Sequence, residues 1–367
     1  MSTAATSASA ASVADRRGPS RVPALDVLRG VAIVAMLVAH GVPFLWPTGL
    51  SRPLEVVLGA INAVASPLFG LAMGAAGALV WARASMVEEW PRRALSDIGR
   101  GVVVFAIGML LVELNTWVAI VLHVLGVLMV IGIPIAALAG VSLRRGAAGR
   151  RLRWLLGAVT LMAFVLAPWV TGVVAPVEDR LSNGTTGGLA EIWAAFIAGY
   201  SYRAVSLLPF FALGALIAAT GLLARPRRLL MLSLPASLVL ALAYALVRSS
   251  RDIGLSGDPV DQLFDLTLVA AVVAVVALAI DARAQPAVWR PFADLGAIAL
   301  SVYALQLVVL RPLMDWRGWA TSALLGWASL VVLVVLPSVL MIGWRRTLGP
   351  GPLERVVALV TGKGQAT

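Results

Sequence analysis

The sequence predicts an all-α fold: a polytopic integral membrane bundle of about ten transmembrane helices with both termini cytoplasmic. Three observations carry this expectation. Hydrophobic residues fill 60% of the 367 positions, charged residues only 13%, and mean hydropathy is +0.94. A soluble domain is about 45–50% apolar and about a quarter charged. Apolar runs long enough to cross about 30 Å of hydrocarbon recur along the chain. Arginines gather in alternate connecting segments, the pattern that orients membrane spans.

The elements follow in order. Residues 1–20 (MSTAATSASAASVADRRGPS) are small and polar and predict a disordered cytoplasmic tail. The apolar run after it is too long for a signal-peptide core. It carries Asp26 and Arg29 and has no clean small-x-small cleavage site, so it reads as a retained first span. The transmembrane domain covers 21–345. Its spans are expected over 24–46, 56–82, 100–115, 117–140, 154–175, 202–223, 229–248, 262–281, 291–311 and 318–343. Spans three and four are separated only by LNTW, which predicts a tight helical hairpin. Residues 187–200 (GGLAEIWAAFIAGY) read as an interfacial or re-entrant helix. Residues 346–367 read as a cytoplasmic amphipathic tail, with GPGPLERVVALVTG as a proline-started helix on the inner surface. No internal repeat, soluble domain or long linker is visible, nor a pair of broken helices in matching halves.

With the N-terminus inside, 21 of the 29 lysines and arginines fall on inner segments, 7 on outer ones, and Arg29 lies within the first span. The net charge of +11 is thus topological, and nucleic acid is not an expected partner. The expected surroundings are a lipid bilayer. Arginine outnumbers lysine 28 to 1, which points to a GC-rich bacterial genome and a multi-pass protein of the bacterial cytoplasmic membrane. The absence of cysteine excludes a disulfide framework, a thiolate metal site and a cysteine nucleophile. Two histidines argue against a histidine-rich metal site, so no metal is expected.

The first span holds one polar stripe. Arg29 and His40 are eleven residues apart, about 20° from three full turns of helix, so they share a face about 16 Å apart along the axis. Asp26 lies one turn before Arg29 on that face. Ionisable groups inside a membrane usually face a bundle interior or a wet cavity. Arg29, oriented by Asp26, would meet an anionic ligand, and His40 would act as a base at the far end. The bland alternative makes Asp26–Arg29 an interfacial ion pair and His40 a polar clip between helices. Other polar residues fall near the depth of His40. His123 is placed about six residues into span four, with Glu113 at the outer end of span three and Asp265 at the outer start of span eight. Tyr303 and Gln306 lie one turn apart in the outer half of span nine. If these faces converge, they form an outward-opening acid–base site; taken singly, each is better read as a structural residue.

RVPALDVLRGVAIVAMLVAH resembles the opening of the transmembrane acyltransferase superfamily, which includes the acyltransferase-3 and heparan-α-glucosaminide N-acetyltransferase types. The matching residues are Leu25, Asp26, Leu28, Arg29, Gly30 and His40. SPLFGLAMGAAGAL (66–79), VAIVLHVLGVLMVIGIP (118–134), LLPFFALGALIAATGLL (207–223), LGAIALSVYALQ (295–306) and GPLE (351–354) are most similar to the uncharacterised bacterial YeiB-like branch. The resemblance implies acyl transfer from cytoplasmic acyl-CoA, with acetyl-CoA as donor, to a hydroxyl or amine of an extracytoplasmic sugar, glycolipid or small metabolite. It makes His40 the base or the acyl carrier, and Arg29 the residue that positions CoA. Arg92, Arg93 and Arg100 in PRRALSDIGRG either hold CoA phosphates or serve topology alone. The fused extracytoplasmic domain of some acyltransferases has no counterpart in the sequence. A proton-coupled transporter or channel for an anionic solute would use the same stripe as a permeation path. A non-catalytic membrane partner is the third reading, and a homodimer is left open.

Overall fold

The computed structural model describes residues 22–83, 87–182, 188, 204–248, 258–281 and 286–361. The tail expected over 1–20 and, apart from residue 188, the helix expected over 187–200 lie outside them. The described residues are helical and connecting segments, with no strand among them. The helices are α1 (Pro23–Gly41), α2 (Arg52–Trp81), α3 (Trp90–Val112), α4 (Leu122–Ile131), α5 (Ile133–Arg144), α6 (Arg150–Ser182) and α7 (Ala204–Ala219). They continue with α8 (Pro226–Arg248), α9 (Pro259–Asp281), α10 (Pro286–Ala297), α11 (Ala299–Asp315), α12 (Ala323–Thr347) and α13 (Pro352–Val360).

Among the described residues, seven helices are long and apolar enough to cross a membrane, and two bent pairs raise the number to nine. The tenth expected element is α7. Its 16 described residues (Ala204–Ala219) are apolar. The chain is therefore a multi-pass, all-α membrane protein. Leu155, Leu161 and Val165 on α6, and Met231, Leu238 and Leu242 on α8, leave apolar faces exposed, as lipid contact requires. α1 lies at the centre, with Leu28, Ala32, Ile33 and Leu37 essentially inaccessible.

Close backbone approach builds that centre. α1 packs against α2 and α10, and α2 packs against α7 and α5. A Cβ on Gly30 would lie 1.8 Å from the Phe292 carbonyl oxygen, and one on Gly296 would lie 2.1 Å from the Asp26 carbonyl oxygen. Only glycine admits the two helices this closely. The glycine of the LRG motif thus serves the contact between the first span and α10.

Three sequence expectations need correction. The LNTW hairpin is not tight: α3 ends at Val112, and nine residues (113–121) separate it from α4, with Asn115 at φ 47°. His123 is accordingly the second residue of its helix, not six residues into a span. Broken helices are present after all: α4 and α5 meet at 56°, and the end of α10 meets α11 at 85°. The expected straight ninth span is therefore a bent pair, divided at Ile298.

Candidate active site

Asp26 and Arg29 face one another at 3.8 Å across the first turn of α1. Arg29 opens onto a cavity of about 330 Å³, and Arg100 of α3 lines the same cavity. The lining also includes Met36, Phe69 and Met73, Tyr303 of α11, and Val121 just before α4. The cavity thus carries Arg29 and Arg100, together with Glu354 of α13, on a largely apolar lining. Arg93, by contrast, donates to the Val80 carbonyl at 3.3 Å, and Arg92 is exposed. Neither Arg92 nor Arg93 lines this cavity. Of the expected arginine cluster, the structure brings Arg100 alone to Arg29.

At the other end of α1, His40 lines a second cavity of about 450 Å³ together with Trp46, Glu55, Asn62 and Trp117. The His40 ring meets the Tyr303 ring edge to face at 5.8 Å. His40 lines one cavity and Tyr303 the other, and their rings are in contact. The Tyr303 hydroxyl accepts the Val121 N–H at 3.4 Å, which ties α11 to the 113–121 connection. That connection also reaches His40, because Trp117 Nε1 donates to the His40 carbonyl at 3.3 Å. Trp117 is a site residue the sequence did not single out.

Gln306 fixes the imidazole. Its Nε2 donates to the Leu37 carbonyl at 2.8 Å, and its Oε1 lies 2.9 Å from His40 Nδ1. A backbone carbonyl can only accept, so the amide orientation follows, and Oε1 must accept in turn. The proton of a neutral His40 therefore sits on Nδ1, and Nε2 holds the lone pair. His40 and Gln306 are both buried, at 6% and 0% exposure. The sequence paired Tyr303 and Gln306 one turn apart, and both indeed meet His40.

Residues 21–250 match the family model described as heparan-alpha-glucosaminide N-acetyltransferase, catalytic. That is more than half of the chain. The protein belongs to this heparan-alpha-glucosaminide N-acetyltransferase catalytic family. Residues 214–363 match a second model, a protein family of unknown function, DUF418. No curated protein matches the sequence. The resemblance read from LDVLRG and the later stretches is thus borne out. The acetyltransferase family model covers Arg29 and His40, while Tyr303 and Gln306 fall in the DUF418 match. The His40–Gln306 hydrogen bond joins the two matched regions into one site.

The remaining expected residues lie elsewhere in the acetyltransferase-family bundle. His123 packs against Phe105, with ring centroids 6.5 Å apart, and its backbone presses on Gly108 of α3. Glu113 caps the end of α3 and is exposed. Asp265 is half-buried on α9. None of the three lines either cavity. Glu354 of α13, which the sequence placed on a surface tail, does line the Arg29 cavity.

Proposed function

We propose that the protein is an acyl-CoA-dependent membrane acyltransferase. It moves a small acyl group, acetyl in the first instance, to an amine or hydroxyl of a sugar, glycolipid or small metabolite. The observation that carries this reading is the contact between His40 and Tyr303, which line two different cavities, the Tyr303 cavity also being lined by Arg29 and Arg100.

In this reading the Arg29 end is cytoplasmic in a bacterial inner membrane. Arg29 and Arg100 hold the phosphates of acetyl-CoA, with Asp26 orienting Arg29. The pantetheine arm, about as long as the roughly 16 Å from Arg29 to His40, lies along the apolar lining and brings the thioester to Tyr303. The acceptor occupies the His40 cavity. His40 Nε2 takes the acceptor N–H or O–H proton as the new C–N or C–O bond forms. The C–S bond breaks, and the departing CoA thiolate takes that proton back. Gln306 keeps Nδ1 protonated throughout, so the lone pair stays on the atom that faces the chemistry. The family's description as a heparan-alpha-glucosaminide N-acetyltransferase makes an amino sugar the first acceptor to try.

The test is acetyl-CoA binding to the purified protein by thermal shift, in wild type and Arg29→Ala. A ligand bound only by the folded state raises apparent stability by mass action. Stabilisation in wild type and its loss in Arg29→Ala are expected. No shift at saturating acetyl-CoA or longer acyl-CoAs overturns the reading.

The broken helices favour one rival. Half-helix ends near a central cavity are a feature of transporters, and a proton-coupled anion transporter would use Arg29 and His40 as stations on one path. Uptake of an anion into proteoliposomes, driven by a pH gradient and lost in His40→Ala, would establish that rival.

A further inference from the structure

Glu354 is the carboxylate of the GPLE stretch, and the structure gives it an unexpected set of partners. One oxygen accepts the backbone N–H groups of Leu300 at 2.9 Å and Ser301 at 3.1 Å. The other accepts the Ser301 hydroxyl, and Ser301 Oγ in turn accepts the Leu353 N–H at 3.0 Å. Leu300 and Ser301 stand in the first turn of α11, directly after the 85° bend. Those N–H groups have no partner within their own helix, and a carboxylate there also meets the favourable end of the helix dipole. The cap for α11 thus comes from a helix more than fifty residues downstream.

The fit is close. A Cβ on Gly351 would lie 2.1 Å from Glu354 Oε2 and 2.5 Å from Ser301 Oγ, so the glycine of GPLE admits the turn. The approach to α13 is braced as well: Trp344 Nε1 donates to the Pro350 carbonyl at 3.1 Å, and the Arg355 guanidinium bonds the Leu348 carbonyl. Val357 is buried. α13 packs against both α11 and α3, and Glu354, Val357 and Ala358 line the same cavity as Arg29 and Arg100.

We propose that the C-terminal helix is a wall of the donor cavity, closing its Arg29 end, and that Glu354 is the positioning residue that latches it there. The same latch fixes the start of α11, the helix that carries Tyr303 and Gln306 to His40. Reading the cavity as a donor site rests on the acyltransferase proposal; the latch itself does not.

The chain has no cysteine, so a single introduced thiol is a unique probe. Ala297→Cys places one on the cavity lining, beside the latch, and Ala215→Cys places a control in the fully buried centre of α7. Maleimide modification of the full-length protein in detergent is timed with Glu354 intact, with Glu354→Ala and with Glu354→Gln. Opening of the wall in Glu354→Ala is expected to speed modification of Ala297→Cys at least about tenfold and leave Ala215→Cys protected. Glu354→Gln keeps an oxygen for the two N–H groups and is expected to stay within about threefold of the parent. An unchanged Ala297→Cys rate in Glu354→Ala overturns the latch. Should Glu354→Ala expose Ala215→Cys too, Ser301→Ala, which removes only the hydroxyl arm, carries the same test. Acetyl-CoA is then added to the parent. Slower modification of Ala297→Cys supports the donor cavity, and no slowing overturns that part while the first arm still decides the latch.

Discussion

Gln306→Leu isolates the tautomer argument. Leucine has nearly the volume of glutamine but neither its acceptor nor its donor. The change strands His40 Nδ1–H, now 2.9 Å from a carboxamide oxygen, and removes the second bond to the Leu37 carbonyl at 2.8 Å. Leaving a buried polar group unsatisfied costs about 1–3 kcal/mol, so the stranded imidazole N–H should cost the variant about 1–3 kcal/mol of stability. The imidazole is also released to carry its proton on Nε2, the wrong atom for a base. Losing the partner that holds a general-base histidine in its productive tautomer costs up to about 10⁴-fold, and removing a general base costs about 10²–10⁴-fold. Gln306→Leu should therefore lower single-turnover acetyl transfer from labelled acetyl-CoA to an amino sugar by at least about 10²-fold, and His40→Ala by as much or more. Because Gln306 acts only through His40, the double variant should be no slower than His40→Ala alone. The assay has a clean second readout: the chain contains no thiol, so any free thiol is released CoA. A folded Gln306→Leu protein with the wild-type rate would refute the reasoning, as would a double variant slowed by the product of the two single effects.

Arg100→Ala and Arg92→Ala should part company. A charge-assisted hydrogen bond is worth about 1.5–3 kcal/mol, so Arg100→Ala should weaken acetyl-CoA binding about 10–100-fold by titration. Exposed Arg92 should bind like wild type when changed to alanine, and equal losses in both would mean that the cavity does not receive the phosphates. Gly30→Ala adds a methyl where the Phe292 carbonyl oxygen lies 1.8 Å away; overpacking of this kind costs about 1–3 kcal/mol, read as a lower melting temperature and lower yield. Trp117→Phe removes one hydrogen bond to the His40 carbonyl and should cost about 1 kcal/mol, with acetyl transfer reduced less than in Gln306→Leu.

Local chemistry was legible where it lay on one helix. The eleven-residue spacing put Arg29 and His40 on one stripe, and the Tyr303–Gln306 spacing put both on the face that meets it. Hydropathy located ten apolar elements because the bilayer imposes its thickness on each. It could not locate the ends, because apolar loops and apolar helices look alike to it. Residues 117–121 read as the start of a helix, yet they run as a connection held by Tyr303 and reaching His40 through Trp117. The depth assigned to His123 depended on that false start. The bend at Ile298 has no local signature either: it is set by the approach of Gly296 to α1 and by a carboxylate from the far end of the chain. Glu354 was invisible as a site residue because an acid on an amphipathic tail ordinarily faces water.

The bend at Ile298 also bears on which of the two main readings the geometry favours. A transporter uses the exposed start of a half-helix to hold its anion near the midplane. In α11 that position is taken, since Glu354 occupies the N–H groups of Leu300 and Ser301. The basic residues beside it, Arg29 and Arg100, remain on the cavity lining, and their side chains suit a phosphate group better than does a capped helix end. In the acyltransferase reading the rings of His40 and Tyr303 partition the two cavities, and both are braced, one through Gln306 and the other through Val121. Transport would require that partition to open each cycle and break buried hydrogen bonds. Acyl transfer requires it to stay, because it holds a base at the boundary where donor and acceptor meet from opposite sides. The bonding around His40 favours a fixed partition, and so favours the enzyme.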